Sequence, residues 1–133
     1  MAWPVGGLRH FRRSEFADPD RLSPQLLELI DEIRDRAGLP IRITSDYRSQ
    51  EEHEAIYPDP SSRPNSPHTR GTGLDFVPIP FSAHNRLLVL AAITEIYAES
   101  GAPNLGLEIA NRHFHIDLDT TLRRPWLWIG KSK

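Results

Sequence analysis

The sequence predicts an α+β domain in which a small, largely antiparallel sheet is flanked by helices. Three observations predict it. Segments 24–37 and 82–100 carry helix signals at both ends, and segments 41–44 and 74–77 read as short strands. Segment 105–118 reads as two strands folded about one turn. The expected order is helix, strand, helix, strand, helix, then a strand pair, so helices pack on one compact sheet.

Residues 1–22 read as an irregular arm, with Pro4, Gly6, Gly7 and Pro19 breaking any regular element. Ser23 then suits a helix cap and Pro24 the first helical position, where no amide hydrogen bond is needed. Leu26, Leu27, Ile30, Ile33 and Ala37 recur at three-to-four spacing and make one apolar stripe. Gly38 ends the helix and Pro40 prevents its continuation. Ile41 to Thr44 alternates apolar and polar residues, as a half-buried strand does. Ser49 and Glu52 have capping-box spacing, which predicts a helix from about Gln50 to Tyr57 with Pro58 as its stop.

Residues 58–67 contain four prolines and three serines and read as a loop, suited to a substrate-facing flap. Leu74 to Val77 reads as a buried strand. Ser82 caps the longest helix, which runs to about Ser100 with Gly101 as its stop. Leu87, Leu88, Ala91, Thr94 and Ala98 are its expected buried stripe, widened by Leu90 and Ile96. Leu105 to Ile109 and Phe114 to Leu118 flank Ala110-Asn111-Arg112, a hairpin with Asn111 at the turn. Trp126 and Trp128 share one face if the tail is extended.

The 133 residues suit one domain, 1–133, with 1–22 as its arm. A content of 38% hydrophobic and 26% charged residues suits a soluble chain with one modest core. The net charge of -2 gives no bulk positive field for nucleic acid, and Arg9 to Arg13 is short and lacks interleaved aromatics. The absence of cysteine excludes disulfides, thiolate metal sites and cysteine nucleophiles. The longest apolar run, Leu87 to Ile93, is too short to span a bilayer, and no signal peptide is visible. Synthesis in the cytoplasm follows as the expectation, with no nucleic acid or membrane partner and a monomeric state.

Chemistry concentrates in two stretches. Ser66 to Asp75 places the imidazole of His68 and the carboxylate of Asp75 on either side of Gly71 and Gly73, whose backbone freedom lets both side chains converge. His113-Phe114-His115-Ile116-Asp117 places three polar residues on one face of a strand and apolar residues on the other. Imidazole plus carboxylate is the donor set zinc accepts when no thiol is present, and three protein ligands leave a fourth position for water. His10, His53 and His84 stand alone and read as surface or hydrogen-bonded histidines.

The run S-x-H-x-x-G-x-x-x-D from Ser66 to Asp75, followed by H-F-H-I-D from His113 to Asp117, resembles the M15 family of zinc peptidases. That family includes D-alanyl-D-alanine carboxypeptidases, phage endolysin peptidases and proteins of hedgehog-like fold. Glu15-Phe16, helix 24–37 and Ile41 to Ser49 resemble the family's lead-in of helix, strand and S-G-Y-R-S, and Trp126 resembles its late tryptophan. The likeness spans roughly residues 14–128.

The resemblance implies a Zn2+ cofactor held by His68, Asp75 and His115. It implies Arg48 and Ser66 as substrate-binding residues, with Ser66 also able to orient His68. The family usually has glycine where Asp46 stands and alanine where Gly73 stands, and neither position is a ligand. Many members carry an acidic residue three before the last histidine ligand. Here that position is Arg112, which cannot accept a proton, so the general base passes to Glu108 or His113, with Asp117 orienting a ligand histidine.

The implied activity is hydrolysis of D-amino-acid-containing stem or cross-bridge peptides of bacterial peptidoglycan, by a carboxypeptidase or an endopeptidase. A lone catalytic domain without a signal peptide resembles phage or prophage lysis enzymes that reach the cell wall after release. The alternative is a non-catalytic zinc module of the same fold.

Overall fold

The computed structural model describes residues 3–59, 66–100 and 104–132. Gly101, the expected stop of the longest helix, and residues 60–65 of the expected flap lie outside the described residues. The helices are α1 (Pro24–Ala37), α2 (Gln50–Ile56) and α3 (Ala83–Ser100). The strands are β1 (Ile41–Ser45), β2 (Gly73–Pro78), β3 (Gly106–Ile109), β4 (Phe114–Asp117) and β5 (Trp126–Ile129). One five-stranded sheet has the order β1-β2-β4-β3-β5. Every neighbouring pair is antiparallel except β3 and β5, which run parallel.

Local chemistry explains most boundaries. Pro24 opens α1, and Gly38 closes it in the left-handed region at φ 69°, where a side chain would be strained. Ser23 occupies the cap position, but its hydroxyl donates to Gln25 Oε1 instead of accepting a helix amide. The expected capping box of α2 is present: Ser49 Oγ accepts from Glu52 N, and Glu52 Oε1 accepts from Ser49 N. Ser82 Oγ accepts from Asn85 N at the start of α3.

One core lies between the helices and one face of the sheet. Leu26, Leu27, Ile30 and Ile33 of α1 bury completely beside Leu74, Phe76, Phe114 and Ile116. Burial of each such side chain contributes roughly 1.5–3 kcal/mol. Phe11, Phe16 and Leu22 anchor the N-terminal arm in the same core, so the arm is part of the packed structure. Two arginines of its basic stretch are paired locally: Arg9 meets Asp31, Glu32 and Asp35 of α1, and Arg13 meets Asp20.

Two features differ from expectation. The buried stripe of α3 is Val89, Ala92 and Ile93, with Leu90 and Ile96 beside it, while Leu87 is 65% exposed and Ala91 and Thr94 face outward. Residues 87–93 are all apolar, so periodicity alone sets no phase, and contact with α1 decides which side turns inward. The tail also forms a true strand, β5, beside β3. A parallel partner needs a return path that a short apolar tail does not announce.

Candidate metal centre and active site

A single rung of the sheet assembles the chemistry. Ser45 of β1 is the register partner of Asp75 on β2, and Asp75 is the partner of His115 on β4. His115 is in turn the partner of Glu108 on β3, and Glu108 of Trp128 on β5. Direct partners share a face, so all five side chains project to the side opposite the core. A β-bulge between Ile43 and Ser45 brings Ser45 into this line. The turn Pro67–Arg70 then lays His68 over the rung, with Ser66 capping that turn by accepting from His68 N at 3.3 Å.

His68, Asp75 and His115 converge. Asp75 Oδ1 lies 3.2 Å from His68 Nε2 and 2.9 Å from His115 Nδ1, and one donor atom from each residue lies within 4.8 Å of the others. Tetrahedral ligands at about 2.1 Å from a cation sit about 3.4 Å apart, which is close to these spacings. Burial alone would raise Asp75, but hydrogen bonds with His115 and His68 outweigh it and hold the carboxyl far below its usual range.

Each imidazole has its outward nitrogen engaged elsewhere, which turns the other toward the triangle. His68 Nδ1 donates to the backbone carbonyl of Asp46 at 2.7 Å, leaving Nε2 facing Asp75. His115 Nε2 donates to Asp117 Oδ2 at 2.8 Å, leaving Nδ1 facing Asp75. Burial disfavours charge on His115, yet the contacts with Asp117 and Asp75 push it up to about 9, so the surroundings favour positive charge at this ring. Asp117 is fully buried and held by both Nε and Nη2 of Arg124 at 2.7 Å.

Glycines make the room for this second layer. Asp117 stands between Gly73 on β2 and Gly106 on β3. A Cβ on Gly106 would lie 2.5 Å from Asp117 Oδ2 and from Arg124 Nε, and one on Gly73 would lie 2.7 Å from Pro67 Cβ and 3.0 Å from His115 Cε1. Gly73 therefore sits directly against a proposed ligand.

Glu108 is 4% exposed, with Oε1 3.4 Å from His113 Nε2. Its Oε2 has no hydrogen-bond partner among the described residues. Gly130 makes space for it, because a Cβ there would lie 1.7 Å from Oε2. Burial acts to raise Glu108, but His113 and His115 outweigh it and keep the carboxyl below its ordinary value. His113 precedes β4, and its Nδ1 lies 2.7 Å from Ser132 Oγ.

These groups line a cleft of about 700 Å³ that also includes Arg48, Ser66, Arg112 and Lys131. Arg48 is tied in by its amide, which donates to His68 O, and by its guanidinium, which contacts Ser45 Oγ and His53 Nδ1 at 3.2 Å. The structure thus brings Arg48, Ser66, His68, Asp75, Glu108, His113, His115 and Asp117 to one cleft. Arg124 and the role of Asp46 escape a reading of the sequence. Arg124 sits seven residues beyond Asp117 with no periodic signal, and Asp46 acts through its backbone carbonyl.

Two imidazoles and a carboxylate, oriented and facing an open cleft, are a donor set that fits a divalent cation with a position left for water. A family model described as Peptidase M15 matches residues 8–117. Among solved structures the chain is similar to the L-Ala D-Glu endopeptidase ChiX of Serratia marcescens. The TM-score is 0.58 and the identity 18%, over 76% of this chain and 83% of that one, which shows a common fold. No curated protein matches the chain.

Proposed function

The chain belongs to the M15 family of peptidases, and we propose that it is a zinc-dependent peptidase acting on peptidoglycan peptides, with His68, Asp75 and His115 as the zinc ligands. The observation that carries this reading is the convergence of those three side chains in a cleft beside a buried carboxylate with an unpartnered oxygen. The residues 1–133 form the one catalytic domain of this proposal.

Zinc held at the triangle would supply Lewis acidity, lowering the pKa of a water to about 7 and polarising the scissile carbonyl. Glu108 accepts the proton of the attacking water at Oε2 and returns it to the leaving amine. His113 steadies that carboxylate from the Oε1 side. Asp46 and Asp117 keep the two imidazoles turned inward. Arg48 presents a guanidinium to a carboxylate or carbonyl of the substrate, and Ser66 holds the His68 turn.

The cleft is lined by Thr44 and Tyr57 as well as by Trp126 and Lys131, in addition to the triangle. A lining of that extent suits a peptide substrate. The Serratia protein is titled an L-Ala D-Glu endopeptidase. We extend to this chain the coarser substrate class, a stem peptide containing D-amino acids.

The buried Glu108 carboxylate in the cleft, with Oε1 toward His113 and Oε2 without a hydrogen-bond partner among the described residues, supports catalysis over a purely structural zinc module. The test is mass spectrometry of peptidoglycan fragments incubated with zinc-loaded protein. Wild type is expected to release defined peptide products, and Glu108→Gln to hold zinc yet release none. Full zinc with no product from wild type would establish the non-catalytic alternative.

A further inference from the structure

Two buried aspartates grip the N-terminal arm in the same way, but only one of them is connected to the metal triangle. Asp31 of α1 is 4% exposed and accepts from the successive amides of Arg9 and His10, at 3.1 and 2.9 Å. Asp46, just after β1, is 3% exposed and accepts from the successive amides of Ala17 and Asp18 through Oδ2, at 2.7 and 3.3 Å. A buried carboxylate is tolerated only when such donors replace its water.

Asp46 differs in what its backbone does. Its carbonyl takes the Nδ1 hydrogen of His68 at 2.7 Å. Two residues on, Arg48 N donates to His68 O at 3.0 Å, and on the other side Ser23 N donates to Gly71 O at 2.8 Å. The arm with the Ser23 cap that follows it, the 46–48 segment and the 66–71 turn therefore bond to one another in a closed set. Phe16 and Leu22 are buried at either end of the stretch that carries the two amides, so that stretch is pinned from both sides. A glycine at position 46 would present the same carbonyl but would have nothing to hold the arm.

We propose that Asp46 is a positioning residue for His68, and that the N-terminal arm, through its amides at 17 and 18, is a structural layer of the metal site. The inference rests on the reading of His68 as a zinc ligand. By holding the arm, the Asp46 carboxylate fixes the plane of its own carbonyl. That carbonyl fixes the hydrogen on Nδ1 of His68, which aims the Nε2 lone pair at the triangle.

The test compares zinc affinity, by chelator competition on the full chain, for wild type, Asp46→Ala, Asp46→Asn, Ala17→Pro and Asp31→Ala, each checked for folding by circular dichroism. Asp46→Ala is expected to weaken zinc binding about 10–100-fold, the range for outer partners of metal ligands. Asp46→Asn keeps one oxygen facing both amides and is expected to stay within about threefold, because a neutral oxygen still accepts from both. Ala17→Pro removes the shorter of the two donors from the arm side, after a Phe16 whose φ −116° and ψ 146° already suit a following proline. It is expected to weaken zinc binding and decides the matter should Asp46→Ala not fold. Asp31→Ala loses an equivalent arm contact away from the site, so it should melt earlier while leaving zinc affinity within about threefold. Equal zinc affinity in Asp46→Ala (or, if that variant is unfolded, Ala17→Pro) and Asp31→Ala would overturn the positioning role. A wild type that binds no zinc would instead overturn the metal reading on which it rests.

Discussion

Gly106 and Asp117 are register partners on β3 and β4, and the missing side chain of the first is the space in which the carboxylate of the second pairs with Arg124. Gly106→Ala would place a methyl group 2.5 Å from both Asp117 Oδ2 and Arg124 Nε. One of the two groups must shift, so overpacking should cost about 1–3 kcal/mol in denaturant unfolding. The displaced Asp117 should also release the His115 ring, weakening zinc binding about tenfold or more. Unchanged affinity in a folded variant would show that Asp117 does not orient His115.

Glu108→Gln preserves shape and removes only the proton-accepting charge. The expected result is a fall in kcat of about 10²–10⁴-fold with zinc content unchanged. His113→Ala should fall less, since His113 meets Oε1 and leaves Oε2 in place. A larger loss from His113→Ala than from Glu108→Gln, measured on one peptide, would reverse their assigned roles.

Gly130→Ala tests the same carboxylate from the opposite side. A Cβ would sit 1.7 Å from Glu108 Oε2, and the carboxylate must move. Activity should drop at least tenfold while zinc stays bound, because the three atoms nearest a Cβ there all belong to Glu108. Activity equal to wild type would place the reacting water away from Oε2.

Asp119 gives the fold an acid limit. It is 1% exposed and accepts from Arg70 Nε at 2.7 Å, from Thr72 Oγ1 at 2.9 Å, and from Thr121 through both N and Oγ1. Burial acts to raise it, but these donors outweigh burial and hold it well below the ordinary aspartate value. A group lowered in the folded state stabilises above its unfolded pKa of about 3.9, and that stability is lost as pH falls below about 4. Asp119→Asn should therefore cost about 2–4 kcal/mol at pH 7 and flatten the loss of stability between about pH 4 and 2. Parallel acid-unfolding curves for the two proteins would count against this.

Much of the architecture is legible in the sequence because local chemistry and tertiary packing agree. Pro24 and Gly38 bound α1, Ser49 and Glu52 cap α2, and the alternation of Phe114 and Ile116 with His115 and Asp117 assigns the two faces of β4. The apolar run 87–93 sets no phase for α3, and nothing local marks β5 as the partner of β3. The same division runs through the site. His68, Asp75 and His115 stand in recognisable runs, whereas Arg124 reaches Asp117 only through the sheet register and a gap left by Gly106. Asp46 serves His68 with a backbone atom that every residue type possesses, so its identity there encodes the arm contact and not the histidine contact.

The most direct test is metal content per chain for protein purified without chelator, alongside His68→Ala, Asp75→Ala and His115→Ala. One zinc per wild-type chain, with each variant retaining less than about a tenth of it, is the expected result, since three protein ligands set the affinity of an open zinc site. Folded variants that all keep a full equivalent of zinc would show that these three side chains do not hold the metal.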